Sequence, residues 1–136
     1  RNNIKITNKA KNYLMEGGLL IIFPSGGVST AKDRKSAFEN DDWKLFTAKL
    51  IHQTETDVLP IYFDGKNGFL FNLFATKLKN QTLKYSSYMH ETRKKIGKEI
   101  IIYSRDIIKY KEMKNIKDRS VLTNYLKSKT YGLDSE

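Results

Sequence analysis

The chain has 136 residues, no cysteine, two histidines and a formal net charge of +10. That length suits one domain or part of one, large enough to bury roughly two thirds of its unfolded surface. The lack of cysteine excludes disulfides and thiolate metal sites, two histidines are too few for a His-rich site, and the longest apolar run, Leu19 to Phe23, falls far short of the ~20 residues of a membrane span.

In chain order, Thr7 is placed to cap a helix from about Asn8 to Glu16, with Ala10, Tyr13 and Leu14 on one face and Gly17-Gly18 as its stop. Leu19-Leu20-Ile21-Ile22-Phe23 then reads as a short, fully buried strand, because it is continuous, apolar and partly β-branched. Pro24 fixes φ and removes a donor, which ends the strand. Gly26 and Gly27 permit backbone angles and close approaches that a side chain forbids, so a phosphate or carbonyl oxygen has a path to backbone N–H groups there. A tight turn that simply needed glycine has the same appearance. A polar segment runs to about Asn40. Asp41 or Asp42 then caps a second helix to about Gln53, whose Trp43, Phe46, Leu50 and Ile51 make an apolar stripe at helical spacing.

A second strand, Val58–Phe63, leads into Asp64-Gly65-Lys66-Asn67-Gly68, and Pro60 inside it argues for the margin of a sheet. Phe69, Leu70, Phe71, Leu73 and Phe74 form an aromatic patch without a clear period. Helical character resumes between Leu83 and Ile96 and stops at Gly97. A third strand, Glu99–Tyr103, follows, and a last helix from about Asp118 to Ser128 turns Val121, Leu122, Tyr125 and Leu126 inward. Strand–helix–strand spacing over residues 19–63 fits a right-handed βαβ unit, so the expected fold class is α/β, with a mixed, largely parallel sheet flanked by helices. Ligands gather beyond the carboxyl ends of strands in such sheets. Parallel pairing of the first two strands would therefore join Ser25-Gly26-Gly27 and Asp64-Gly65-Lys66-Asn67 in one site.

Charge is uneven along the chain. Residues 1–76 hold ten Lys/Arg against eight Asp/Glu, while residues 77–136 hold fifteen against seven. A basic half attracts phosphates, anionic lipid headgroups, an acidic carrier protein or nucleic acid. A solvated surface rich in scattered lysine has the same composition.

Phe23-Pro24-Ser25-Gly26-Gly27-Val28-Ser29 resembles the Phe-Pro-x-Gly-x-x-Ser block of the glycerolipid acyltransferases, in particular their hemolysin-like, ornithine-lipid acyltransferase branch. Val58-Leu59-Pro60-Ile61-Tyr62-Phe63 looks like the next block of that branch. Phe63-x-Gly65-x-Asn67, Leu70-Phe71, Trp43 with Phe46, Glu91 before a basic run, and Gly97 continue the likeness over about residues 12–108. The resemblance implies transfer of a fatty acyl group from acyl carrier protein or acyl-coenzyme A to a lyso-lipid, with no cofactor. It also implies peripheral attachment to the anionic cytoplasmic face of the inner membrane, and no nucleic-acid partner. Ser25, Gly26, Gly27 and Ser29 would line the acceptor or oxyanion side, with Lys66 and Asn67 on the neighbouring loop.

Two departures qualify the likeness. The wider family often has glutamate and arginine where this chain has Ser25 and Val28, so glycerol-phosphate binding does not carry over to them. The family's catalytic histidine and aspartate, spaced His-x4-Asp, lie upstream of the Phe-Pro block, where this chain has no histidine. The expectation is therefore the C-terminal part of one acyltransferase domain, over residues 1–136, opening on Arg1 and inactive alone.

His52 and Asp57 meet the His-x4-Asp pattern literally. They fall downstream of the block, and in a parallel sheet His52 would sit at the end opposite Ser25, about 15 Å away, beyond the reach of a general base. His90 begins no such pair, since Lys95 takes the fifth position. Ser25 lacks the Gly-x-Ser-x-Gly elbow, because Phe23 replaces its first glycine. The alternative reading is a basic nucleic-acid- or anionic-surface-binding module without catalysis, on the strength of Tyr85, Tyr88, Tyr103 and Tyr110 among the lysines.

Overall fold

The computed structural model describes residues 2–26, 42–64, 89–90 and 92–132. Helix α1 (Asn2–Met15) begins earlier than its expected cap at Thr7 and stops where the glycines predict. Gly17 takes φ +85°, the left-handed conformation that side chains resist. Its N–H donates to the Leu14 carbonyl at 3.0 Å, and the Gly18 N–H donates to the Tyr13 carbonyl at 2.9 Å. This paired closure satisfies the last carbonyls of the helix. The Tyr13 ring lies over Gly18, where an added Cβ would stand 2.5 Å from a ring carbon.

Helix α2 (Phe46–Thr54) starts later than expected, and no side chain caps it at Leu45. Asp42 pairs instead with the Lys44 ammonium in an exposed contact. The apolar stripe sorts as predicted, in that Leu50 and Ile51 are buried, together with Ala48, and Trp43 packs against the core from outside the helix. The helix closes at Glu55, whose φ of +51° is left-handed and whose N–H donates to the Ile51 carbonyl at 2.9 Å.

Strands β1 (Ile61–Asp64) and β2 (Ile101–Ser104) form a two-stranded antiparallel ribbon. Ile61 faces Ser104, Tyr62 faces Tyr103, Phe63 faces Ile102 and Asp64 faces Ile101. The ladder begins after Pro60, which has no N–H to contribute. It resumes on the far side as a bridge in which the Val58 and Ile108 N–H groups each donate to the other's carbonyl, at 2.9 and 2.8 Å. Between these pairings Leu59-Pro60 lies opposite Arg105-Asp106-Ile107, one residue more on the second strand, as in a bulge.

Helix α3 (Tyr110–Met113) is a single turn and α4 (Arg119–Tyr131) is the longest element after α1. Asp118 caps α4, its carboxylate accepting from the Ser120 and Val121 N–H groups at 2.7 and 3.0 Å. The core joins Ala48 and Ile51 of α2, Ile108, Met113 of α3, and Leu122 and Leu126 of α4. Tyr131 contacts Trp43 and Tyr62 with ring centroids at 6.2 and 5.7 Å, and Tyr62 meets Tyr103 at 6.3 Å. This aromatic line fastens the Tyr62–Tyr103 face of the ribbon to α4.

The expected α/β class, with a largely parallel sheet, is therefore wrong for this structure. Leu19–Phe23 is not a strand and is not buried: Leu19, Ile21 and Phe23 are 83, 74 and 69% exposed. Among the described residues, no backbone hydrogen bond involves Leu19 to Ile22. An apolar run states that a segment favours burial; it does not supply a neighbouring strand. The βαβ pairing of Leu19–Phe23 with Val58–Phe63 is absent, and the second strand pairs with the third, antiparallel. Matching aromatic and β-branched residues across that ribbon provide the cross-strand contacts that stabilise it. Val121, expected inward, is 56% exposed. Tyr125 lines the core only partly, and the buried stripe of α4 runs through Leu122, Thr123, Leu126 and Lys127. Residues 92–95 are helical and stop before Gly97, in keeping with the predicted end; the earlier part of that helix, 83–88, and the aromatic patch at 69–74 lie outside the described residues.

Candidate functional site

Phe23-Pro24-Ser25-Gly26 closes as a β-turn, with the Gly26 N–H donating to the Phe23 carbonyl at 3.0 Å. Proline in second place and glycine in fourth are what such a turn favours. Gly26 has φ +66°, and no atom lies within 4 Å of where its Cβ would be, so its need for glycine is conformational and not steric. The Pro24 carbonyl accepts from the Lys44 N–H at 2.9 Å, which ties the turn to the approach of α2. Ser25 is half-buried at its bend. The sequence offered the glycine N–H groups as oxyanion donors. The Gly26 N–H is already committed within the turn, and Ser25 also makes an interaction within the structure.

Of the sequence-predicted residues only Ser25 and Gly26 fall within the described structure. Gly27, Ser29, Lys66 and Asn67 lie outside it. The parallel sheet that was to bring the two loops together does not form, so the shared-site argument loses its geometric basis.

His52 and Asp57 do not make a catalytic pair. Asp57 Oδ1 accepts from the Tyr110 N–H at 2.8 Å, and Oδ2 accepts from the Lys109 ammonium at 3.0 Å. The Tyr110 N–H first, and Lys109 second, hold the Asp57 carboxyl below its ordinary value. His52 Nε2 is buried without a hydrogen-bond partner. Asp57 thus pins the first turn of α3 to the loop after α2, and it does not orient an imidazole. What separates this pair is the prior engagement of the carboxylate, not the length of a parallel strand.

A second feature was not legible in the sequence. Where Arg105-Asp106-Ile107 bulges opposite Leu59-Pro60, an open cleft of about 630 Å³ forms against α4, walled by Pro60, Arg105, Asp106, Ile108, Tyr125 and Lys129. The Lys129 ammonium lies 5.6 Å from the centre of the Tyr125 ring, a cation–π distance. Glu112, at its edge, accepts from the Lys109 N–H at 2.9 Å and so serves the start of α3. Two cations, Arg105 and Lys129, and two carboxylates, Asp106 and Glu112, line the cleft, so their formal charges balance. None of the predicted site residues lines it. The one available signal was Pro60, which marks where a ladder must lapse.

The tyrosines that motivated a nucleic-acid reading are engaged where they are described. Tyr103 packs on Tyr62, and Tyr110 lies against the core; Tyr85 and Tyr88 fall outside the described residues. Among the described residues, no helix is long and apolar enough to cross a membrane, and no group of His, Asp and Glu side chains could hold a metal ion. No family model, curated protein or solved structure matches the chain.

Proposed function

We propose that this chain supplies the acceptor side of an acyltransferase that moves a fatty acyl group from acyl carrier protein or acyl-coenzyme A to a lyso-lipid. The observation that carries this reading is the Phe23–Gly26 turn: an apolar segment ends in a proline-led bend that holds Ser25 and is fixed to Lys44. It occupies the first of the two blocks whose order and spacing resemble the acyltransferases, and Val58–Phe63 supplies the second. In this reading the Ser25 hydroxyl engages the acceptor or the developing oxyanion. Work at the cytoplasmic face of the inner membrane, with peripheral attachment, belongs to the same proposal. No histidine precedes the block in this sequence, and Asp57, which completes the His-x4-Asp pattern with His52, is engaged by Tyr110 and Lys109.

The test is transfer of labelled acyl groups from both donors to lyso-lipids, by this chain alone and by a natural protein that carries this sequence together with a His-x4-Asp pair upstream. The chain alone is expected to show none above background. In the longer protein, loss of one hydrogen-bond donor from an acyl-transfer site costs on the order of a hundredfold in rate, so Ser25→Ala should fall by that amount. His52→Ala should transfer as the parent does. Transfer indifferent to Ser25→Ala, or activity of the chain alone that vanishes with His52→Ala, defeats the reading.

A further inference from the structure

We propose that the outward face of the β1–β2 ribbon, together with the basic turn leading into β2, is a docking surface for an anionic lipid bilayer. The register places Ile61, Phe63 and Ile102 on one face, and Ile100 extends it by strand alternation. On the opposite face Tyr62 and Tyr103 pack toward Tyr131 of α4, while Ile101 at its end stays exposed. The outward face is uncovered: Ile61, Phe63, Ile100 and Ile102 are 40, 50, 62 and 54% exposed. Contiguous apolar side chains left in water on this scale mark an interaction surface.

Charge decides among the occupants. Arg93, Lys94, Lys95 and Lys98 precede the ribbon and are exposed, against Glu99 and Asp64 as exposed carboxylates near them among the described residues, and Ile96 stands exposed among them. Lys98 is two residues from Ile100, a span of at most about 7 Å, within the screening length at physiological salt. Cations beside protruding aliphatic side chains are the chemistry of a bilayer interface, where the ammonium groups meet headgroups and the aliphatic groups enter the acyl boundary. A second copy would bring the same cations against each other. Nucleic acid would meet three isoleucines and a single phenylalanine, a face with one ring to stack on and no side-chain hydrogen bonds. The ribbon's backbone groups pair with each other, which suits it to an apolar boundary.

This inference names the surface for the peripheral-membrane part of the proposed function, and it is separable from acyl transfer. The experiment is co-sedimentation of the whole chain with vesicles of phosphatidylcholine containing about one quarter phosphatidylglycerol, and with phosphatidylcholine alone, at physiological salt. Binding is expected only to the anionic vesicles. Each cation near such a surface contributes about fivefold in affinity, so Lys94→Glu with Lys95→Glu and Lys98→Glu should weaken it at least a hundredfold. Phe63→Thr with Ile102→Thr, which keeps a β-branched residue at one site and adds one at the other, should weaken it about tenfold. Ile96→Gln, outside the ladder, repeats the apolar arm without touching a strand. Equal binding to both vesicles, no binding, or indifference to both apolar variants overturns the proposal. So does self-association that the ribbon variant abolishes, or strand-selective nucleic-acid binding that displaces the vesicles. Lyso-lipid presented without bilayers tests acyl transfer separately, so failure of one reading leaves the other standing.

Discussion

Replacing Leu122 and Val121 in turn by alanine measures which face of α4 carries the core. Leu122 is fully buried against Ala48, Ile51 and Met113 within one cluster, whereas Val121, its neighbour in sequence, is 56% exposed. Leu122→Ala removes three carbons from a closed environment, worth about 2–2.5 kcal/mol in transfer free energy at about 0.8 kcal/mol per methylene. The cavity left behind brings the expected cost to about 3–4 kcal/mol, within the range of buried Leu→Ala changes. A domain of this size has about 5–15 kcal/mol of stability, and its small buried cluster places it toward the lower end. The melting temperature should then fall by about 10–15 °C. Val121→Ala gives up little burial and gains helix propensity, so its stability should lie within about 0.5 kcal/mol of the parent. Urea and thermal unfolding followed by far-ultraviolet circular dichroism reads both variants. Comparable losses at the two positions would mean that α4 is rotated toward the face expected from sequence, and would refute the packing described above.

Three further outcomes are expected. Asp118→Ala removes the acceptor for two N–H groups at the start of α4 and should cost about 1 kcal/mol in urea unfolding, with Asp118→Asn restoring most of it. Glu55→Gly should leave stability unchanged or raise it by up to about 1 kcal/mol, because φ +51° strains an L-residue, whereas a β-branched residue there should be costly. Asp57, held below its ordinary value of 3.8 by the Tyr110 N–H and Lys109, stabilises the fold above that ordinary value. The contribution disappears as pH falls through the lower folded-state value, so Asp57→Asn should flatten the acid limb of a stability–pH profile and lower stability at neutral pH.

Local chemistry was legible and partner choice was not. Gly17-Gly18, Pro24, Pro60 and Asp118 act within a few residues of themselves, and the structure places a helix stop, a turn, a ladder break and a cap at them. The three apolar runs expected as strands carried no comparable instruction about pairing. Strand periodicity states which side chains share a face, while the neighbour is chosen by contacts between distant segments; Tyr62 with Tyr103 and Phe63 with Ile102 are such contacts. Helix phase failed for a related reason. Val121 and Leu122 are both apolar and adjacent, so a stripe read from sequence accepts either, and only packing against α2 and α3 selects Leu122. The cleft beside Pro60 depends on a count of residues across two strands, which has no meaning until the register is known.

The placement of Ser25 follows from the same distinction between local anchors and distant partners. Among the described residues, Leu19 to Ile22 make no backbone hydrogen bond, and the hydrogen-bonded anchors of the segment lie at its two ends. Upstream the fixed point is the glycine closure of α1 against Tyr13. Downstream it is the Phe23–Gly26 turn, joined by the Pro24 carbonyl to the Lys44 N–H ahead of α2. A shift at the start of α2 is passed to the turn through one backbone hydrogen bond, and α1, which packs against α2, reaches the turn by the same route. The Lys44 N–H cannot be removed by an ordinary side-chain change, but proline at position 44 deletes it. In the acyl-transfer reading Lys44→Pro should then lower activity as Ser25→Ala does, while Lys44→Ala, which keeps the N–H and discards only the exposed pairing with Asp42, should not. Equal losses from the two Lys44 variants in the same acyl-transfer assay would show that the side chain, and not the backbone tie, positions the turn.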